Sequence, residues 1–264
     1  MPGPLFPIDA DRICRETFVA AVEAHDELPS TNNLALELAG RDDVPCPLLV
    51  VAKRQTAGRG RGHNAWWSSD GALTFSLLLD TSRLELRQAS WPQASLATGL
   101  AVFEALREFA PGEPFGLKWP NDVFLRQRKV CGVLVESPQP AGGRLVVGVG
   151  INVNNSFDAA PDDVRWRAIS LLDAAGSEFG LTDVLVGVLR SLEGCYRDVA
   201  ARPRQLAERW RAACILRGRS VRINLGSRLV EGSCLGIDEQ GALVVQTGEG
   251  PERCFGGIVE SFDP

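Results

Sequence analysis

The chain contains no Cys-x-x-Cys pair, no Gly-x-Gly-x-x-Gly fingerprint and no Gly-Lys-Ser/Thr phosphate loop. The first absence leaves seven scattered cysteines, an odd number in a chain of 264 residues. That pattern fits neither a zinc site nor a disulfide framework, and reads as buried, reduced thiols in a cytoplasmic protein. The other two absences exclude the common dinucleotide and P-loop modes of nucleotide binding. No apolar run reaches the ~18 residues needed to cross a membrane. The first eleven residues carry three prolines and neither a basic nor an apolar segment, so they are no secretory signal. No paired acids, serine–histidine set, metal cluster, internal repeat or low-complexity tract stands out. The formal net charge of −5 argues against nucleic acid as the main partner.

What is present exceeds the usual ~100–200 residues per domain, so one large domain with a small one is expected. Residues 1–11 read as an irregular arm. Residues 12–24 read as a short helix, with residues 18–22 able to lead into a strand. A short helix follows Pro29, with Ser30 or Thr31 as its cap. Strands are expected at 48–53 and 72–79, and a helix over 92–109 from Leu96, Leu100, Phe103 and Leu106 at helical spacing. Residues 115–119 form a strand, and 123–125 and 130–135 form a hairpin through Arg126-Gln127-Arg128-Lys129. A strand at 145–149 ends at Gly150. Val184, Val188, Leu192, Cys195 and Val199 place a helix over 182–200, and Pro203 opens another. From Ser220 the texture changes to five short β-prone pieces, at 220–225, 228–235, 242–246, 252–255 and 258–262. They are expected to close a small antiparallel barrel. The predicted fold class is α+β, a mixed sheet with flanking helices over residues 1–216, followed by an SH3-like barrel over 217–264.

Four stretches carry the chemistry. Residues 53–67 hold Gly58, Arg59, Gly60, Arg61 and Gly62 between two apolar strands. Glycine resists regular structure there, and each arginine offers a donor fork for carboxylate or phosphate. The run reads either as a lid over an anion or as a solvated loop. His63 reads as a polar loop residue, and one of Trp66 and Trp67 as the loop's anchor in the core. Lys118-Trp119-Pro120-Asn121-Asp122 puts an ammonium at the end of a buried strand, costly unless an anion meets it. It also reads as a snorkelling surface lysine. Lys129-Val-Cys-Gly132 places a glycine inside a strand, the mark of a bulge or of close approach by a ligand, or of a plain edge hairpin. Gly148-Val-Gly150-Ile-Asn152 is able to wrap a nucleotide at a strand end. Converging cations without a nucleophile point to a small anion plus a nucleotide, with catalysis by positioning and electrostatics.

In order and rough spacing, these stretches and Ser30-Thr31-Asn32 resemble the biotin protein ligase family over about residues 20–262. The resemblance implies that biotin and Mg-ATP give biotinyl-5′-AMP, and that the biotinyl group passes to a lysine of a biotin carboxyl carrier domain. It implies Ser30, Thr31, Asn32, Gln55, Gly58 to Arg61, Lys118 and Gly132 at biotin. It places Arg59, Arg61, Lys118, Asn121, Lys129 and Asn152 at the nucleotide, and Asp122 at Mg²⁺ or the incoming lysine. Lys118, Arg59 and Arg61 are the implied catalytic cations, and Lys118 bridges the biotin carboxylate and the α-phosphate. Longer members carry an N-terminal winged helix-turn-helix. Residues 1–25 are too few for one, so no DNA-binding or repressor role is expected. Some members stack a tryptophan on adenine at the position of Ala168, whereas here Trp166 lies two residues earlier. The alternatives are a lipoate or octanoate transferase on the same fold, and a non-catalytic biotin-binding regulator. A monomer and a homodimer both remain open.

Overall fold

The computed structural model describes residues 8–62, 64–82, 84, 86, 90–138 and 142–262. Residues 1–7 of the expected arm, and His63, lie outside them.

Two sheets organise the chain. The larger has seven strands: β1 (Ala21–Leu28), β2 (Leu48–Gln55), β3 (Ala72–Asp80), β4 (Phe115–Lys118), β5 (Asp122–Leu125), β6 (Arg128–Glu136) and β7 (Arg144–Asn152). Their spatial order is β1-β2-β3-β7-β6-β5-β4. The β1/β2 pair is parallel and the other pairs are antiparallel, so the sheet is mixed. The helices are α1 (Ala10–Glu16), α2 (Thr31–Leu38), α3 (Trp91–Phe109), α4 (Asp162–Arg165), α5 (Leu171–Ala175), α6 (Leu181–Ala201) and α7 (Pro203–Ala213). A five-stranded antiparallel sheet follows: β8 (Ser220–Asn224), β9 (Leu229–Ile237), β10 (Leu243–Thr247), β11 (Gly250–Cys254) and β12 (Ile258–Phe262), in the order β11-β10-β9-β8-β12.

Strand parity explains where the open space lies. Side chains alternate between faces along a strand. Leu73, Phe75, Leu77 and Leu79 of β3 and Leu145, Val147, Val149 and Ile151 of β7 point into the main core, with Leu96, Leu100 and Leu106 of α3 and Leu189 and Leu192 of α6. The alternate residues face the other way. Leu78 and Val146 pack with Ala35 and Leu38 of α2. Farther along that face the side chains shrink to Ser76, Gly148 and Gly150, and a cavity opens.

Several expectations change in the structure. The segment over 12–24 divides into α1 and β1. Ser30 occupies the N-cap of α2 but makes no side-chain capping bond, and Thr31 turns its hydroxyl to Gln55 instead. β7 does not end at Val149. Gly150 pairs with Thr74 and Gly132, so neighbours on both sides carry the strand through the glycines to Asn152. The bulge in the β5/β6 hairpin falls at Val130, between the pairs Val123–Cys131 and Phe124–Lys129, and not at Gly132. Six cysteines are buried, as read, but Cys14 is exposed.

Candidate functional site

A cavity of about 630 Å³ opens over β3, β7 and β6, beside the start of α2. Of the residues expected at a site, Ser30, Thr31, Asn32, Gln55, Arg59, Gly60, Arg61, Lys118, Asn121, Asp122, Lys129 and Gly132 line it. Gly58 and Asn152 do not. Gly58 sits against the Trp66 carbonyl, where a Cβ would overlap it. Asn152 is buried, and its amide donates to the Lys129 carbonyl (3.4 Å) while its oxygen accepts from Asn155 (3.2 Å). It reaches the cavity only by holding the strand that carries Lys129.

One end of the cavity is a polar network. Thr31 donates from its backbone N–H (2.7 Å) and its hydroxyl (3.1 Å) to Gln55 Oε1. Ser76 Oγ donates to Asn32 Oδ1 (2.5 Å) and lies 2.7 Å from Thr31 Oγ1. Asn32 Nδ2 donates to Glu136 (2.9 Å), whose other oxygen accepts from Arg59, and Arg59 also donates to Asn33 (2.6 Å). Buried polar groups linked in this way hold each other in one orientation. Gly148 makes the network possible, because a Cβ there would overlap Asn32 Oδ1. Gly150 does the same for the indole of Trp66, and Gly132 gives room to Trp66 and to the Lys129 side chain. These glycines are spacers for cavity side chains. Trp66 lines the cavity, and among the described residues its buried Nε1–H finds no acceptor. Trp67 packs on Phe157, ring centres 5.7 Å apart, and anchors the far end of the loop.

The other end is cationic. Lys129 Nζ lies 2.6 Å from Asp122 Oδ1. Among the described residues, Asp122 is the single acidic one lining the cavity, and no three metal-ligating side chains cluster. Lys118 differs from Arg59 and Lys129: among the described residues its ammonium has neither a hydrogen-bond acceptor nor a carboxylate partner. Burial holds its pKa below the ordinary lysine value, with Asp122 opposing and Lys129 and Arg167 adding to the depression. Burial likewise lowers the Arg61 guanidinium, against the pull of Asp122. Arg61 donates to the Gly257 carbonyl of the small barrel (3.1 Å). Among the described residues the lining therefore holds two cations not committed to carboxylates, Lys118 and Arg61, which suits an anionic ligand.

Sequence reasoning missed Ser76, which joins the polar network without lining the cavity, and the barrel side of the wall. Ser76 had a signal, because Thr74 and Ser76 alternate within an otherwise apolar strand and so share one face. The barrel residues Asn224, Leu225, Gly226, Gly257, Ile258 and Val259 line the cavity. They had no signal beyond turn glycines, because docking between two sheets leaves no periodicity.

Fold and site define a class: a mixed-sheet domain whose cation-walled cavity is bordered by a glycine-arginine loop and by a small C-terminal barrel. Residues 25–154 match the biotin/lipoate A/B protein ligase family, and residues 217–260 match the biotin protein ligase C-terminal domain. The chain is 35% identical over 252 residues to the biotin–[acetyl-CoA-carboxylase] ligase of Mycobacterium tuberculosis, covering 92% of this chain and 91% of the relative. It is 34% identical to the bifunctional ligase/repressor BirA of Bacillus subtilis, covering 89% of this chain and 72% of that protein. The structure superposes on the Aquifex aeolicus biotin protein ligase in complex with biotin and ATP with a TM-score of 0.77 at 32% identity, over 92% of this chain and 97% of that one. The chain belongs to the biotin protein ligase family and is an enzyme of that kind.

Proposed function

We propose that the chain joins biotin to ATP as biotinyl-5′-AMP and passes the biotinyl group to a lysine of a biotin carboxyl carrier domain in the cytoplasm. The observation that carries this reading is Lys118, a half-buried ammonium in the cavity with no carboxylate partner among the described residues. In the first step the biotin carboxylate oxygen attacks the α-phosphorus and pyrophosphate leaves. Two anions must meet, and a cation between them offsets their repulsion and the charge that develops on the phosphoryl oxygens. Lys118 takes that place, with Arg61 nearby. In the second step a neutral carrier lysine attacks the acyl carbonyl and AMP leaves.

The polar network of Thr31, Asn32, Ser76 and Gln55 holds the uncharged head of biotin. Arg59 is tied to Glu136, so its part is to fix the loop. Gly58 gives the loop its close seat on Trp66. Lys129, Asn121 and, through Lys129, Asn152 shape the nucleotide end. Mg²⁺ supplies charge neutralisation on the phosphates when bound. One carboxylate beside phosphate oxygens suits that ion, and Asp122 is the residue to hold it. Residues 1–216 form the catalytic unit and 217–264 a second domain. The reading contains no repressor role.

The test is a labelling assay. Purified protein, Mg-ATP and an apo biotin carrier domain are incubated with biotin, lipoate or octanoate, and the intact mass of the carrier is read. A biotinyl mass increase with biotin alone is expected. An increase with lipoate or octanoate alone would overturn the substrate. No increase, despite measurable biotin binding, would leave a non-catalytic regulator.

A further inference from the structure

Lys118 meets two aromatic rings, and they belong to different sheets. Its Nζ lies 5.7 Å from the centre of Phe124 on β5 and 5.3 Å from the centre of Phe262, the last residue of β12. Phe262 also receives Arg219 from the segment just before β8, with Cζ 5.5 Å from the ring centre. All four side chains are half-buried. A cation near an aromatic face is attracted by the ring quadrupole, more strongly as water is excluded. A ring cannot accept the three N–H donors of an ammonium as a phosphate oxygen does, so such a contact holds the charge while leaving its donors for a ligand.

We propose that Phe262 is a positioning residue for Lys118: the terminal strand of the barrel supplies the ring that holds this ammonium in place before an anion arrives. Phe262 lies in none of the motifs that mark the cavity. It acts through Lys118, so its catalytic consequence rests on the function proposed above, whereas its effect on the ammonium does not. The charged groups around Lys118 are Asp122 on β5, Lys129 on β6, Arg167 ahead of α5 and, through the ring, Arg219. Substituting Phe262 removes none of these charges, but it also releases Arg219 from the ring.

The experiment measures the Lys118 titration directly. Intact protein is pulsed with acetic anhydride over a series of pH values, and acetylation at Lys118 is quantified by peptide mass spectrometry. Wild type is compared with Phe262→Leu, which keeps apolar bulk and removes the ring, and with Phe262→Trp, which offers a stronger one. The Leu variant is expected to raise the acid dissociation constant of Lys118 on the order of two- to five-fold, and the Trp variant to lower it. The alkaline limb of biotin-dependent pyrophosphate release is expected to move in the same two directions. A midpoint that stays fixed, or moves in one direction in both variants, overturns the inference. If the Leu variant does not fold, the Trp variant decides alone. Midpoints that shift as stated in a protein that releases no pyrophosphate would overturn the proposed function and leave the role of Phe262 standing.

Discussion

Lys118 costs the folded protein something while the cavity holds no anion. Burial is the larger influence on it and lowers its pKa. An anionic ligand binds the protonated form, so affinity declines as pH rises through this depressed pKa, earlier than for a free lysine. Lys118→Ala is expected to slow biotin-dependent pyrophosphate release at least ~100-fold, the scale of a lost preorganised electrostatic donor. Lys118→Arg keeps the charge at every accessible pH and loses the ammonium geometry, so its rate is expected to be lower but flatter on the alkaline side. A steady-state pH series on both variants checks this, and an alkaline limb retained in the arginine variant would sink it. Gly148→Ala is the matching change at the polar end. Its Cβ overlaps Asn32 Oδ1, so Asn32 must leave Ser76 and Glu136. A loss of about 1–3 kcal/mol is expected, read by urea unfolding. Lys118 was legible in the sequence because a charge at a strand end needs an explanation. The work of Gly148 was not, because its neighbour Asn32 lies more than a hundred residues away.

Elements were more legible than contacts, and the exceptions have physical reasons. The 3.6-residue pattern placed α3 and α6 within a residue or so of their ends, and turn residues separated all five barrel strands. The split of α1 from β1 was ambiguous because residues 18–22 fit either period. β7 ran past its expected end because hydrogen bonds from β3 and β6 outweigh the low strand propensity of Gly148 and Gly150, a tertiary effect. The β5/β6 turn was read without glycine, and it carries the strain that such a composition implies. Arg126 and Gln127 have φ of 48° and 62°, the left-handed region that a two-residue hairpin of this hand requires. Arg126 is held there by Glu113 (2.6 and 2.7 Å) and by the Ala174 carbonyl (3.0 Å). Gln127 makes no such bond among the described residues. Gln127→Gly is therefore expected to stabilise the protein by about 0.5–1 kcal/mol, the relief of the left-handed penalty less the entropy that glycine adds to the unfolded chain. A higher urea midpoint at unchanged slope is the expected reading, and a lower midpoint would show that the turn is not strained.

Across the whole molecule, the cavity belongs to both sheets. The seven-stranded sheet provides its floor and Lys118, while the barrel provides Asn224, Leu225, Gly226, Gly257, Ile258 and Val259 along one side. Arg61 spans the two through the Gly257 carbonyl, so the glycine-arginine loop rests on the barrel as well as on the polar network. A ligand that draws Arg61 and Lys118 together must order the loop and the facing barrel turns at once, because the same side chain touches both. Hydrogen exchange with and without biotin and Mg-ATP tests this. Amides over residues 56–66 are expected to gain protection together with residues 224–226 and 256–259, while the outer pair β10/β11 stays unchanged. Arg61→Ala is expected to keep the loop's gain only in part and to lose that of the turns. Protection confined to the loop in the wild-type protein would mean that the barrel borders the cavity without taking part in closing it. The contact between Arg61 and Gly257 would then be a resting place for the loop and not a joint between the two sheets.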